Sequence, residues 1–150
     1  DAQAVALVLN AYARAGVFSA DVFAHLSAVA QALPSTLFNA QAVANVANAF
    51  AKADVRDAAL FARLAALVCD IDPADFNAQG VSSVLNAFAK LDAADPPAVR
   101  HLCRVAMRLP LADYSPQAVA NILNALVKAE VADRELFQRL GAATIAMPAS

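Results

Sequence analysis

A segment that begins with Gln and continues through a stretch rich in Ala and Asn occurs four times in this chain, at a constant spacing of 38 residues. The copies begin at Gln3, Gln41, Gln79 and Gln117. A period of this length, built of two helix-like parts, is typical of a solenoid, in which each unit buries its apolar surface only against neighbouring units. The spacing therefore predicts an all-α solenoid of four 38-residue helix-turn-helix repeats.

The repeat divides the chain into four units of a single array, residues 1–38, 39–76, 77–114 and 115–150. Apolar residues make up 61% of the sequence, with many Ala and only three Gly, which favours closely packed helices over strands. Asp1 occupies the same position in its unit as Asn39, and no polar capping segment precedes it. We therefore expect the array to be a window of a longer repeat protein.

Each unit carries the start and stop signals of two helices. Capping residues precede the first helices at Asp1, Asn39, Asn77 and Ser115, and the second helices at Ser19, Asp57, Asp95 and Asp133. Proline follows the second helix of each unit, at Pro34, Pro73, Pro110 and Pro148. An aromatic residue precedes the next unit at Phe38, Phe76 and Tyr114, and we predict that it packs onto the helix that follows.

Apolar residues recur in the first helices at the i, i+3, i+4, i+7 spacing of an amphipathic helix. In the first unit this stripe consists of Val5, Val8, Leu9 and Tyr12. The equivalent residues of the next unit are Val43, Val46, Ala47 and Phe50. The pattern predicts that one side of every first helix faces the core.

The sequence offers little that could support catalysis. It contains no Gly-rich phosphate loop, no nucleophile elbow and no paired metal-ligand spacing. His25 and His101 lie at one repeat position two units apart, too far to share a proton or a metal, and the other units carry Arg63 and Arg139 there. We interpret this position as a basic, solvent-exposed face. We expect no enzyme, no cofactor and no metal site.

Two further features limit the classes of protein. Cys69 and Cys103 are separated by 34 residues, not by one repeat, and we interpret them as two buried, reduced thiols. The longest uncharged run, residues 26–51, contains several amides and a proline, so it predicts no membrane span. The net charge of −2 gives no argument from the whole chain for a nucleic-acid partner.

Polar side chains on the first helices are the candidate functional feature. They are spaced by three, four and seven residues, so they line one side of each helix, and stacking the units turns them into rows. The candidate binding residues are Asn10, Arg14, Asn45, Asn48, Lys52, Ser83, Asn86, Lys90, Asn121, Asn124 and Lys128, accompanied by the four starting Gln residues. Amides can pair with base edges and cations can contact phosphates, so the rows predict binding of single-stranded RNA.

A structural role explains the same residues without a ligand. The row Asn10, Asn48, Asn86 and Asn124 could bond from repeat to repeat, or to a neighbouring backbone. Each cation lies in the last turn of its helix, where the helix dipole favours positive charge whatever the function. Both explanations remain open at this point.

The segments FNAQAVANVANAFAKADV, YSPQAVANILNALVKAEV and FNAQGVSSVLNAFAKLDA resemble the octotricopeptide repeat and the related helical repeats of RAP-domain proteins from plastids and mitochondria. The resemblance implies a right-handed α-solenoid that binds organellar RNA in transcript stabilisation, processing or translation, or within organellar ribosomes. The family's Asn corresponds to Asn45 and Asn121, and Leu7 and Ser83 depart from this Asn position. The family's Lys corresponds to Lys52, Lys90 and Lys128.

The sequence and the resemblance together predict a non-catalytic module that binds single-stranded RNA inside a mitochondrion or plastid. The expected partners are single-stranded RNA or ribosomal RNA and proteins of a large organellar complex, with no DNA. The alternative is a protein scaffold, or a structural subunit of a large organellar assembly. The salt dependence of binding distinguishes an RNA-binding module from a protein scaffold, because phosphate contacts weaken steeply with ionic strength.

Overall fold

The computed structural model describes residues 1–149, and this part of the chain contains helices and no strand. The α-helices are α1 Ala2–Ala15, α2 Ala20–Ala32, α3 Ala40–Lys52, α4 Ala58–Asp70, α5 Ala78–Lys90, α6 Pro96–Arg108, α7 Pro116–Lys128 and α8 Arg134–Ala146. Short 3-10 turns at Ser35–Leu37, Pro73–Asp75 and Leu111–Asp113 join one pair of helices to the next. The all-α helical-repeat fold is confirmed.

The helices form two layers. The first helices, α1, α3, α5 and α7, pack side by side in chain order, and the second helices, α2, α4, α6 and α8, form the other layer with looser contacts between neighbours. Ala49, Ala87 and Ala125 are buried at one position of the first helices, where a small side chain lets the helix backbones approach.

The predicted capping residues are confirmed at all eight helix starts. Each side chain accepts a hydrogen bond from the backbone N–H three residues later, as in Asn39 with the N–H of Ala42 at 2.7 Å. The others are Asp1, Ser19, Asp57, Asn77, Asp95, Ser115 and Asp133. These bonds satisfy N–H groups that have no partner within the helix, so the residue at each start decides where the helix begins.

A residue in the left-handed backbone conformation follows each first helix, and it is a glycine in only one of the four repeats. Gly16 has φ 68°, and its equivalents Asp54, Asp92 and Glu130 have φ between 52° and 56°. Each donates its N–H to the carbonyl three residues earlier, which closes the helix. Gly is the residue that adopts this conformation at no steric cost, so the three acidic residues carry local strain here.

At the position of Val8, the apolar stripe is buried in every repeat that has a preceding repeat. Val46, Val84 and Ile122 are fully buried, with 0% exposure, whereas their equivalent Val8 is 43% exposed. The prediction that Val8 faces the core is therefore wrong, because within residues 1–149 no helix precedes α1 to cover it.

The prediction of two buried thiols is confirmed for one cysteine and wrong for the other. Cys103 is buried, and burial raises the pKa of its thiol to about 11, but Cys69 is exposed.

The basic column, His25, Arg63, His101 and Arg139, joins one repeat to the next. Arg63 Nη2 donates to the carbonyl of Leu33 at 2.9 Å, His101 Nε2 donates to Ile71 at 3.2 Å, and Arg139 Nη2 donates to Leu109 at 2.6 Å. Each acceptor is the first residue after the second helix of the preceding repeat. The interpretation as a solvated face is wrong for these three half-buried side chains, because helix ends leave carbonyls in need of donors.

We expect the substitution Arg63→Met to lower the free energy of unfolding by about 1–2 kcal/mol, because it removes a charge-assisted bond to a partly buried carbonyl. Arg63→His should retain most of the stability, since His101 makes the equivalent bond. Urea denaturation followed by circular dichroism measures both effects.

The matched control is His25→Met in the first repeat, where the exposed side chain has no preceding repeat to bond within residues 1–149. A loss at position 25 as large as the loss at position 63 would contradict the role assigned to the basic column.

The aromatic residues between repeats are buried, as predicted. Phe38, Phe76 and Tyr114 are only 7%, 4% and 4% exposed. Tyr114 also donates its hydroxyl hydrogen to the carbonyl of Ala106 in α6. That carbonyl would bond the N–H four residues later in a continuing helix, but Pro110 has none, so the tyrosine replaces the missing donor.

We expect Tyr114→Phe to lower the free energy of unfolding by about 1–3 kcal/mol, because the carbonyl of Ala106 loses its donor. Burial raises the pKa of Tyr114 to about 12 from 10. The folded chain thus keeps a proton that the unfolded chain releases, and this stability is complete below about pH 10 and declines toward pH 12, by at most about 1.4 kcal/mol per pH unit.

Denaturation at increasing pH tests this in a Cys103→Ala background, because the Cys103 thiol is a second group that titrates in the same range. Ala is chosen because the second repeat has Ala65 at the equivalent position. Tyr114→Phe should flatten the pH dependence above pH 10. An unchanged slope in the Phe variant would show that Tyr114 does not cause it.

In the part of the chain that the structure describes, no helix combines the length and apolar character needed to cross a membrane.

Candidate nucleic-acid interface

The polar stripe of α3 lies on one side of the helix and at its surface. Gln41, Asn45, Asn48 and Lys52 fall within about 60° of one another at 3.6 residues per turn, and they extend over about 16 Å of helix. Gln41 and Lys52 are exposed, and the two Asn side chains are half-buried. The predicted candidates of this repeat therefore share one accessible row.

The same positions are accessible in the other first helices. Together with the α3 row they form a surface that we call the polar face: Gln3, Asn10, Arg14, Gln41, Asn45, Asn48, Lys52, Gln79, Ser83, Asn86, Lys90, Gln117, Asn121, Asn124 and Lys128. None of these side chains is fully buried. The row is interrupted in α1, where Leu7 is 58% exposed at the position of Asn45. The polar face is thus continuous from α3 to α7 and incomplete in α1.

The row of Asn side chains at one repeat position does not hold the repeats together. Within residues 1–149, no hydrogen bond is found for the side chains of Asn10, Asn48, Asn86 and Asn124, either with one another or with a neighbouring backbone. In the fourth repeat, a different pair interacts: Gln117 Nε2 donates to Asn121 Oδ1 at 3.0 Å. The bonding from repeat to repeat considered for the Asn row is therefore not present, and these amides remain available to another partner.

The cations of the polar face differ in their surroundings. Lys128 Nζ donates to the carbonyl of Ala89 at 3.4 Å, near the end of α5, so it also serves the contact between repeats. Lys52 and Lys90 are exposed, and within the described residues neither makes such a bond. In the continuous part of the polar face, from α3 to α7, Lys52 and Lys90 are consequently the cations best placed to contact a ligand.

A groove of about 580 Å³ separates the N-terminal halves of α3 and α5. It is lined by Gln41 and Asn45 from one repeat and by Gln79 and Ser83 from the next, together with Asp75 from the turn between them. The caps Asn39 and Asn77 also contribute to its rim. The groove therefore brings together the candidates at positions 45 and 83, while Asn48, Asn86 and the lysines lie outside it.

Three residues with polar side chains in this groove were not predicted as functional. Asn39 and Asn77 were predicted only to cap the first helices, and Asp75 belongs to the 3-10 turn before α5. Their closeness to Asn45 depends on the stacking of α3 beside α5. A signal was available in the sequence, because a residue just before a first helix must lie next to the N-terminal end of its polar stripe.

The polar face has two chemically different ends. No Lys or Arg is found among the described residues that line the groove, whereas Asp75 contributes a carboxylate there. Lys52 lies seven residues beyond Asn45, about 10 Å further along α3. The groove end thus offers amides and a carboxylate to hydrogen-bond donors, and the lysine end offers positive charge to phosphates.

No cluster of side chains able to hold a metal ion is found in residues 1–149.

The fold and the polar face together define an α-helical repeat protein with an accessible binding face along its first helices. The chain belongs to the family of RNA-editing substrate-binding complex 6 proteins, whose model matches residues 3–149. A search of the curated proteins gave no match. The family supports the coarser part of the resemblance, a helical family connected with RNA, and the octotricopeptide assignment itself stays a prediction.

We expect the double substitution Asn48→Ala and Asn86→Ala to lower the free energy of unfolding by less than about 0.5 kcal/mol, because neither amide has a partner to lose. Ala also has a higher helix propensity than Asn, which favours the folded state of the double variant. Arg63→Met in the same measurement provides the destabilised reference. A loss above about 1.5 kcal/mol would show that the Asn row supports the stack after all.

Proposed function

We propose that this chain is a non-catalytic helical-repeat module that binds single-stranded RNA through the polar face and works within an RNA-editing complex of an organelle. The involvement in RNA editing follows the name of the family to which the chain belongs. The organellar location rests on the resemblance to plastid and mitochondrial repeats, and the absence of a catalytic role rests on the sequence motifs alone.

The observation that carries the proposal is the accessible row of unpaired amides and lysines, repeated once per repeat. Asn48 and Asn86 occupy the same position on adjacent first helices, and neither is used by the fold. Bases that are splayed from a single strand can be read one per helical repeat by two or three side chains. One accessible amide at the same position of adjacent first helices thus suits a single strand laid across them.

Different residues of the polar face have different tasks in this proposal. Lys52 and Lys90 contact phosphates, and the amides contact base edges. The net charge of −2 means that the chain as a whole does not attract a polyanion, so binding depends on these local cations. We therefore expect modest affinity that decreases steeply with salt.

A specific observation also favours the scaffold alternative. The groove between α3 and α5 is lined by amides and by Asp75, and no basic side chain lines it among the described residues. Such a lining repels phosphate but can hydrogen-bond the backbone of an extended peptide. A protein segment of the same complex is therefore the second candidate ligand for this part of the polar face.

The test is a titration of a fluorescently labelled, unstructured RNA pool at two ionic strengths. Each phosphate contact removed reduces the slope of log affinity against log salt by about 0.7 for single strands. We expect the double variant Lys52→Ala, Lys90→Ala to bind more weakly and to lose about 1.4 from that slope.

The matched control is the double variant Arg100→Ala, Arg104→Ala, which removes the same charge from exposed positions of α6 in the other layer. It should bind nearly as well as the wild type. Equal losses in both variants, or no RNA binding by the wild type, would remove the RNA interface from the polar face.

A second pair of substitutions separates base contacts from phosphate contacts. Asn48→Ala with Asn86→Ala should weaken RNA binding about tenfold or more, at an unchanged salt slope, if each amide contact contributes about 1 kcal/mol.

A further inference from the structure

The groove between α3 and α5 is lined by hydrogen-bonding side chains that the fold does not use. Asp75 is exposed, and within residues 1–149 its carboxylate accepts no hydrogen bond and makes no salt bridge. The side chains of Gln41, Asn45, Gln79 and Ser83 likewise have no hydrogen-bond partner among the described residues. A cavity with a few convergent polar groups is the usual form of a ligand site, so these groups are available to a ligand.

The equivalent grooves on either side are equipped differently. Between α1 and α3, leucine occupies both the position of Asn45 and that of Asp75. Between α5 and α7, Asp113 supplies a carboxylate, but Gln117 Nε2 donates to Asn121 Oδ1 at 3.0 Å, so this pair of amides is already engaged. In the part of the chain that the structure describes, only the groove between α3 and α5 combines a carboxylate of the preceding turn with unbonded amides.

Gly80 gives this groove additional room. The equivalent residues, Ala42 and Ala118, each carry a methyl group. A Cβ added at Gly80 would lie 3.2 Å from Oδ1 of Asn77 and 3.8 Å from Cδ1 of Phe76. The missing methyl group leaves space beside Asn77 at the wall of a groove of about 580 Å³, which lies in the range of pockets that hold small molecules. The groove can therefore admit a flat ring system.

A ligand of the polar face meets hydrogen-bond acceptors at the groove end and positive charge at the lysine end. Asp75 belongs to the groove, and Lys52 lies about 10 Å beyond Asn45 along α3. A nucleotide has the complementary polarity, because its phosphate is negative and its base edge carries N–H donors. A peptide backbone is uncharged, and a basic side chain is repelled by the lysines, so neither uses both ends. The charges thus favour a nucleotide.

The carboxylate of Asp75 selects among the bases. Guanine presents two adjacent N–H donors on its Watson–Crick edge, at N1 and N2, and a carboxylate can accept two parallel hydrogen bonds. Adenine, cytosine and uracil each place an acceptor beside the donor on this edge, and a carboxylate oxygen repels that acceptor. Guanine is therefore the one RNA base whose edge complements an ionised carboxylate at both atoms.

We propose that the groove between α3 and α5 binds a guanine base of single-stranded RNA, with the Asp75 carboxylate accepting hydrogen bonds from N1–H and N2–H. An amide of the groove donates to guanine O6, and the phosphate of the same nucleotide lies toward Lys52 and Lys90. This inference rests on the RNA binding proposed above and adds the identity of one base.

Fluorescence anisotropy with short, labelled uridine oligonucleotides that carry G, A, C or U at the central position tests the inference. We expect the guanine probe to bind about tenfold more tightly than the other three, as for a base read by two hydrogen bonds. Inosine, which lacks the N2 amino group, should lose most of this preference. A 7-deazaguanine probe should retain it, because N7 lies on the other edge of the base.

Substitutions in the groove assign the preference to this site. Asp75→Asn should abolish the preference for guanine and leave binding of the all-uridine probe nearly unchanged. Gly80→Ala should reduce the preference without loss of stability, since Ala occupies this position in the neighbouring repeats and has the higher helix propensity. Asp113→Asn is the matched control: it removes the same charge at the same repeat position of the next turn and should keep the preference.

Circular dichroism and urea denaturation establish that each variant is folded. Equal affinities of the wild type for all four probes would overturn the guanine site and leave the groove to a protein segment, whereas a salt slope that depends on Lys52 and Lys90 would still support RNA binding by the polar face. Absence of binding to any probe would remove both proposals. A preference retained in Asp75→Asn, or lost equally in Asp113→Asn, would also overturn the assignment to this groove.

Discussion

The stacking of one helical hairpin on the next is the interaction on which the rest of this structure depends. Val8 and Val46 are the same residue at the same repeat position, and only the presence of a preceding repeat distinguishes a side chain that is 43% exposed from one with no exposure. Full burial of a valine contributes about 1.5–3 kcal/mol. A single hairpin has no other surface against which to obtain this stabilisation, so the repeats stabilise one another.

Polar contacts give this apolar stacking a defined register. The basic column places one donor per interface on the carbonyl that follows the preceding second helix, and Arg63, His101 and Arg139 each reach the residue thirty positions earlier. Hydrophobic contacts tolerate small displacements, but a partly buried donor and acceptor lose free energy when they separate. Different residue types can fill the column, because the requirement is only for an N–H at the right distance.

The same arrangement leaves the polar face free. The buried side chains of α1, α3, α5 and α7 are apolar except for that of Ser82, whereas the amides of the polar face remain at least partly exposed. A regular stack turns one accessible amide per repeat into a line, which is the property that a linear ligand requires. Membership of the RNA-editing substrate-binding complex 6 family is consistent with RNA as that ligand.

The sequence by itself determined the helices, their caps and the rows of the polar face, because capping and amphipathic periodicity act within one helix. Only the tertiary structure showed that Arg63 bonds a carbonyl of another repeat, that Cys69 is exposed, and that Asn45 and Ser83 share a groove with Asp75. These features join atoms from different repeats, or depend on which neighbour covers a side chain. The period predicts that the repeats stack, but the distances and angles of the stack decide which polar atoms meet.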